Sequence, residues 1–320
     1  MNALLSVVVI TPDHYDTVAR TMGHLHAQDG RERIEILLCI PSRAAVGPDR
    51  PEWNDFAAVR ILETGNISVI AQAKALAVRA ASAPIVAFAE EHAFPAAGWA
   101  RALIARHEER HAVVGPVMVN PNPGLTIGWA NFLIEYGPWM SPAEAGPRSH
   151  LPGNNSSYRR DLLLQFGDRL ADMLDAETLL HWELAAAGHT LYLEPRAVTR
   201  HLNITRFSSF QRVHFQYGRM FAAQRGRHWN RFRRVLYSVG SLLIPMIRFV
   251  RHWPDIRRNP ELPKRRLSFW WFLIFGLIES ARGECAGYLT GAGDSRRHIF
   301  ELEFHRSHHL HSTDRLPEFP

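Results

Sequence analysis

The chain has 320 residues, 46% of them hydrophobic, and a formal net charge of +6. That length admits one large α/β domain with an appendage, and that apolar fraction excludes a generally disordered chain. Cys39 and Cys285 are the only cysteines, which excludes a disulfide framework and fits a reducing compartment.

No basic stretch precedes the first apolar run, so the N-terminus reads as a strand rather than a signal peptide. That run, residues 6–10, is mostly β-branched and predicts a buried strand ending at Thr11-Pro12-Asp13. A helix is predicted through Leu25, with Val18, Met22 and Leu25 on one face. Residues 34–40 predict a second buried strand closed by Pro41-Ser42, and residues 43–55, with Pro48 and Pro51, a loop. Residues 59–62 predict a short third strand, and the alanine-rich residues 68–81 a helix with Lys74 in its middle.

Residues 85–89 form another apolar run with the length of a buried parallel strand. Glu90, Glu91 and His92 follow at its carboxyl end, the edge at which open α/β sheets hold ligands. Glu90 and His92 are two apart and point the same way in an extended segment, which offers a divalent cation two ligands. The plainer alternative is a solvated loop. With a helix over residues 99–110, the strand–helix alternation predicts a parallel, doubly wound sheet. Gly-x-Gly-x-x-Gly and P-loop patterns are absent, which excludes the usual dinucleotide and P-loop kinase sites.

Residues 113–119 predict a further strand. Residues 120–150, rich in Pro and Gly and carrying Trp129, Tyr136 and Trp139, predict an irregular region rather than a helix. Gly153-Asn154-Asn155-Ser156-Ser157-Tyr158-Arg159-Arg160 comes next, before a helix from Asp161. A helix over residues 176–187 ends at Gly188 in a C-cap position. Residues 191–193 predict a last strand, and residues 197–201 lead out of it to His201.

Charge then becomes uneven. Residues 200–266 hold 16 basic and 2 acidic side chains, a balance of +14, whereas the first 199 residues carry −6. Phe207, Phe210, Phe215, Tyr217, Phe221 and Trp229 are interleaved with arginines, and apolar runs at 239–250 and 267–278 flank a basic, proline-bearing linker at 251–266. Neither run reaches the roughly 20 residues that span a bilayer. Arginines and tryptophans at their edges suit helices lying in an anionic membrane surface. The alternative is that both pack on the rest of the chain or on a second subunit, giving a homo-oligomer. No nucleic-acid module accompanies the arginines, so nucleic acid is not an expected partner. His305, His308, His309 and His311 predict a surface or disordered end and a weak metal site.

Together these segments resemble the inverting family 2 glycosyltransferases of the GT-A fold, in their membrane-associated bacterial form, over about residues 4–205. Four stretches carry the resemblance: residues 6–12; Phe88-Ala89-Glu90-Glu91-His92 with Pro95 and Trp99; Gly153 to Arg160; and Glu177 with Leu184, Gly188, Pro195 and His201. The resemblance implies a catalytic domain over residues 1–205, a basic helical membrane-associating region over 206–300 and a histidine-rich tail over 301–320. It implies a metal-dependent hexosyltransferase of polysaccharide biosynthesis, placed on the cytoplasmic face of the cell membrane as a peripheral or monotopic protein. The substrates implied are a nucleotide-sugar donor and a glycan or lipid-linked acceptor.

The resemblance places Thr11, Pro12, Lys74, Glu90, Glu91, Gly153, Asn154 and Asn155 at the donor. His92, with Glu90 and His201, is placed at a divalent metal, Mn²⁺ or Mg²⁺, and Glu177 stands as catalytic base with Asp175 as its alternative. The chain departs from the pattern at Cys39-Ile40-Pro41-Ser42, where the family commonly has a base-reading Asp, and at Lys74-Ala75, where many members have Arg-Asn. Glu-Glu-His also replaces Asp-x-Asp. These departures keep a second class open: a non-catalytic domain of the same fold that binds a nucleotide sugar or scaffolds a membrane assembly.

Overall fold

The computed structural model describes residues 2–67 and 69–314. Ser68, where the predicted alanine-rich helix begins, and residues 315–320 of the histidine-rich tail lie outside the described residues. The chain begins with β1 (Leu5–Ile10), α1 (Ala19–His26), β2 (Ile34–Ile40), β3 (Ala58–Glu63), α2 (Ile70–Ala80), β4 (Ile85–Ala89), β5 (Ala93–Pro95) and α3 (Trp99–His107). It continues through β6 (Val113–Val119), α4 (Thr126–Tyr136), β7 (Gly146–Arg148), β8 (Ser157–Arg159), α5 (Arg160–Leu164), α6 (Leu170–Leu174), α7 (Glu177–Ala186) and β9 (Leu191–His201). Helices α8 (Phe207–Arg225), α9 (Arg231–Gly240), α10 (Ile244–Arg258), α11 (Leu267–Thr290) and α12 (Ser295–Glu303) follow. Two compact units result: Met1–Val119 with Ser141–His201, and Asn120–Met140 with Leu202–Pro320.

The first unit is built on a nine-stranded sheet ordered β3-β2-β1-β4-β8-β6-β9-β5, with β7 also on β9. The expected class, a mainly parallel α/β sheet flanked by helices with a helical C-terminal region, is the one observed. Strands β1, β2 and β4 are buried throughout, as mainly apolar runs covered on both faces must be. The exceptions, Ser6 and Glu35, are hydrogen-bonded to each other, and Glu35 is paired with Arg60. Val18, Met22 and Leu25 are all buried on the predicted face of α1.

The sheet is not wholly parallel. Strands β3-β2-β1-β4 form one parallel block and β6-β9 another. Three-residue β8 joins them, antiparallel to both β4 and β6. A three-residue strand is too short to carry a periodicity, so the sequence does not announce it. Its direction matters, because Ser157 lies opposite Ala87 and Arg159 opposite Ile85. The chain therefore enters β8 from the carboxyl end of β4, bringing residues 153–156 to that edge. Strand β9 is one continuous element rather than a strand and an exit, with its register to β6 shifting between Pro116 and Val117.

In the second unit, the region expected to be irregular contains α4. Its sequence is apolar on nearly every side and mostly buried; Pro121, Pro123 and Gly124 before it and Gly137-Pro138 after it punctuate the helix rather than dissolve it. The expected linker at 251–266 is likewise helical to Arg258. Helix α10 runs through Pro254, and buried Asp255 and Ile256 hold its last turn. Helices α8 and α11 approach so closely that a Cβ on Gly218, Gly283 or Gly287 would strike the opposing backbone. The histidine-rich end is docked rather than disordered as far as Asp314. His309 is hydrogen-bonded to Ser209 Oγ at 2.9 Å and to the Glu301 carbonyl at 2.9 Å, which occupies both ring nitrogens. Asp314 accepts from Asn122 and Thr205 at 2.9 and 2.8 Å.

Candidate active site

Strands β1 and β4 are neighbours, with Val9 opposite Ala89. Thr11 and Pro12 therefore share the carboxyl edge with Glu90. Thr11 is buried; its hydroxyl donates to the His14 carbonyl at 2.9 Å and its N–H to that of Cys39 at 3.0 Å, which fixes the turn leaving β1. Beyond β4 the chain turns at Glu90–His92 and returns as β5. The hydroxyl of Thr21, on α1, donates to the carbonyls of Glu90 and Glu91 at 3.0 Å each and holds this turn.

Strand β5 pairs antiparallel with the end of β9, placing Ala93 opposite His201. His201 is thereby carried back to the Glu90–His92 turn from 109 residues beyond His92 in the sequence. The His92 and His201 rings meet edge to face at 4.8 Å. Their Nε2 atoms lie 3.8 and 3.7 Å from Glu90 Oε2. One ligand atom from each of the three residues lies within 4.8 Å of the others, and both imidazoles are buried. Two imidazoles and a carboxylate form a donor set of borderline hardness, which suits Mn²⁺ or a later divalent ion better than Mg²⁺ or Ca²⁺. The residues fit a divalent metal.

The segment leading into β8 supplies the second half of the site. Residues Gly153–Asn155 form a single 3₁₀ turn. Asn155 Nδ2 donates to Glu90 Oε2 at 2.8 Å. Lys74 Nζ, from the middle of α2, donates to Asn154 Oδ1 and, at 2.8 Å, to Glu177 Oε1. Lys74 also lies 5.1 Å from the centre of the Phe88 ring on β4, a cation–π distance. Glu177 opens α7, where the positive end of the helix dipole favours a carboxylate. A continuous path thus runs from Glu177 through Lys74 and the Asn154-Asn155 pair to Glu90 and the two histidines.

Of the remaining candidates, Glu91 is buried within the Glu90–His92 turn, and Asp175 caps the end of α6. Glu177, not its alternative Asp175, is the carboxylate hydrogen-bonded to Lys74. Gly153 packs directly on the Glu177 side chain; a Cβ there would lie 2.9 Å from Glu177 Cδ and nearer still to its stem.

Sequence reasoning missed the supports. Tyr158 Oη donates to the Gly153 carbonyl at 3.2 Å and meets His181 Nε2 at 2.9 Å, while the Leu151 N–H donates to His181 Nδ1 at 3.3 Å. With Nδ1 accepting, the proton sits on Nε2 and is donated to Tyr158, which leaves the phenol to hold Gly153. Complete burial pushes His181 down to about 3, and burial beside Glu177 pushes the Tyr158 phenol well up. The readable signal was His181 four residues after Glu177, on the same helical face. Thr21 gave none, because its contact spans 69 residues.

Cys39 stands where a base-reading Asp was expected. It is buried, its thiol pushed up to about 12 by desolvation, and its Sγ lies 3.7 Å from the Ala73 carbonyl. It brings no charge to the edge.

No family model matches the chain, and no curated protein matches it in sequence. Among solved structures it is similar to GalNAc-T7 with UDP, GalNAc and Mn²⁺ (TM-score 0.45, 14% identity, 62% of this chain and 43% of that one). It is also similar to TarS 1–349 of S. aureus (TM-score 0.47, 15% identity, 92% and 91% covered). A third is the mannosyltransferase PcManGT from Pyrobaculum calidifontis in complex with GDP-Man and Mn²⁺ (TM-score 0.46, 16% identity, 94% and 79% covered). The chain spans less than half the length of the first of these.

Proposed function

We propose that the chain transfers a sugar from a nucleoside-diphosphate donor to an acceptor hydroxyl, with inversion at the anomeric carbon. The observation that carries this reading is the hydrogen-bonded path from Glu177 through Lys74, Asn154 and Asn155 to Glu90, whose carboxylate clusters with His92 and His201. It gathers a carboxylate, a cation and a metal-type cluster, which supports the reading of Glu177 as base. The acceptor oxygen attacks the anomeric carbon as its proton passes to Glu177. The bond from that carbon to the phosphate oxygen breaks, and its electron pair leaves with the nucleoside diphosphate. A divalent cation on Glu90, His92 and His201 would supply positive charge against the leaving diphosphate. Lys74 is a point charge suited to a phosphate oxygen, and an incoming diphosphate would compete with Glu177 for it. The acceptor class we assign is a lipid-linked or growing surface glycan, and the setting the cytoplasmic face of a membrane, on the support of the basic, aromatic-rich second unit.

One observation favours the competing, non-catalytic reading. The candidate base is already ion-paired to Lys74, as it would be in a domain that only binds a nucleotide sugar. Turnover of a nucleotide-sugar panel with Mn²⁺ and a Glu177→Gln variant decides between them. We expect about 10²- to 10⁴-fold loss of kcat in the variant, the usual worth of a general base. Full turnover in Glu177→Gln would remove it as base. Stabilisation by a nucleoside diphosphate without turnover of any donor would establish the binding domain.

A further inference from the structure

Helix α9, the turn Ser241–Leu243 and α10 follow one another without a break, a helical segment from Arg231 to Arg258. Its polarity is inverted. Phe232, Val239, Leu242, Met246, Val250 and Trp253 recur at spacings of three, four and seven residues, so they share one face, and all are exposed, Phe232 by 78% and Leu242 by 77%. The side turned toward the rest of the second unit is mostly polar: Ser238, Ser241, His252 and Asp255 are buried there, with Ile256 as the apolar exception. Ser238 Oγ meets the Cys285 carbonyl at 3.3 Å, and Arg248 pairs with buried Glu284 at 2.8 Å. A surface helix in water does the reverse.

Helix α11 adds a second exposed apolar stripe beside it. Leu267, Trp271, Ile274 and Ile278 form an exposed stripe at spacings of four, three and four, Leu267 being 86% exposed, although the opposite side of α11 buries Phe269, Leu273 and Leu277 as well as Glu279 and Glu284. The two helices touch through Phe249 and Trp270, whose ring centroids are 6.2 Å apart. Exposed arginines stand beside both stripes: Arg231 and Arg233 at the start of α9, Arg251 and Arg257 on α10, and Arg265 and Arg266 before α11. Residues 227–266 carry 11 basic and 2 acidic side chains.

We infer that this outward apolar face, α9–α10 with the α11 stripe, docks into the interfacial layer of an anionic lipid bilayer. The inverted polarity calls for an apolar environment outside the protein. The arginine border selects anionic headgroups, and it would set like charges against each other if a second copy covered the face. No helix among the described residues is long and apolar enough to cross a membrane, so the segment lies in the surface. Nothing in this inference requires the transferase reading, since binding to vesicles needs no turnover.

Sedimentation of the full-length protein with phosphatidylcholine vesicles, with and without phosphatidylglycerol, tests it. We expect binding to the anionic vesicles, little to the neutral ones, and a sharp fall at about 0.5 M salt. Leu242→Glu with Val250→Glu should lower partitioning by about tenfold or more, with the circular dichroism spectrum unchanged because both side chains are exposed. Leu76→Glu, an exposed leucine of α2, should leave it unchanged. Arg231→Gln with Arg233→Gln should narrow the preference for anionic over neutral vesicles. Absence of binding by the native chain, or binding indifferent to the Leu242 and Val250 changes, overturns the inference. So does a stable dimer in solution that those two changes dissolve.

Discussion

Lys74 is the residue on which the two halves of the site depend. Its side chain is 7% exposed and that of Glu177 22%, so the pair sits where water screens it poorly. Removing one partner of such a pair leaves a charge that must find another. We expect Lys74→Met to destabilise the fold by about 1–3 kcal/mol in urea denaturation, since Glu177 loses a charged donor. Under the transferase reading the same variant should raise KM for the donor more than it lowers kcat, because the lost contact is to a group bound before and during reaction. An unchanged donor KM would assign Lys74 to structure alone. The histidines make a separate prediction. If Glu90, His92 and His201 hold a divalent ion, Mn²⁺ should enlarge the rise in melting temperature caused by a nucleoside diphosphate. That increment should vanish in His92→Ala, while the effect of nucleotide alone persists.

Elements rather than single residues bring these groups together, and the decisive one is the turn that enters β8. Gly153 lies against the stem of Glu177, and a methyl group there has nowhere to go without moving the start of α7. Gly153→Ala should therefore cost about 1–3 kcal/mol as an overpacked site and, under the transferase reading, should also lower turnover by displacing Glu177. Gly23, inside α1, has nothing within 4 Å of a built Cβ. Gly23→Ala should instead raise stability by about 0.5–1 kcal/mol. Opposite signs for the two changes, read by thermal or urea unfolding, would check both. Much of the framework at this scale is legible in the sequence. Strands β1, β2 and β4 declare themselves as mainly apolar runs, and Glu90 with His92 marks a candidate site at the end of β4, one that His201 joins in the fold. Less legible are the elements whose signal is short or non-local. Strand β8 is three residues long, α4 is bounded by prolines and glycines that mimic a loop, and α10 contains a proline. The meeting of Lys74 with Glu177 depends on the packing of α2 against α6, the helix just before α7, which no local pattern encodes.

At the scale of the whole molecule, three buried histidines weaken the fold in acid. Glu135 partly offsets them, because burial pushes its carboxyl up to about 7 and it gains stability as pH falls below that value. His181 is pushed down to about 3, His214 to about 3 and His107 to about 4, each chiefly by desolvation. His107 is held by the His111 carbonyl at 3.0 Å and Ser157 Oγ at 2.9 Å, and His214 lies edge-on to Phe210 with ring centroids 4.5 Å apart. All three are neutral in the folded chain at neutral pH. Their values are depressed relative to the unfolded chain, so the unfolded state binds protons first as pH falls. The stability they allow is complete above the unfolded value of 6.5. It is lost progressively from there down through about 4 for His107 and about 3 for the other two. At pH 5 each histidine sits roughly 1.5 pH units below its unfolded value, a cost of about 2 kcal/mol at 1.36 kcal/mol per unit. Three such terms are comparable with the entire stability of an ordinary domain. We therefore expect unfolding free energy, measured by urea at pH 7.5, 6.5 and 5.5, to be nearly flat over the first interval and to fall over the second. His181→Gln separates the cause from general charging of the surface. Its amide can keep one of the two hydrogen bonds, so the variant should be less stable than the native chain at pH 7.5. With one titrating group removed, its loss between pH 6.5 and 5.5 should be smaller by about 1 kcal/mol. An equal loss in both proteins would place the acid response elsewhere in the molecule.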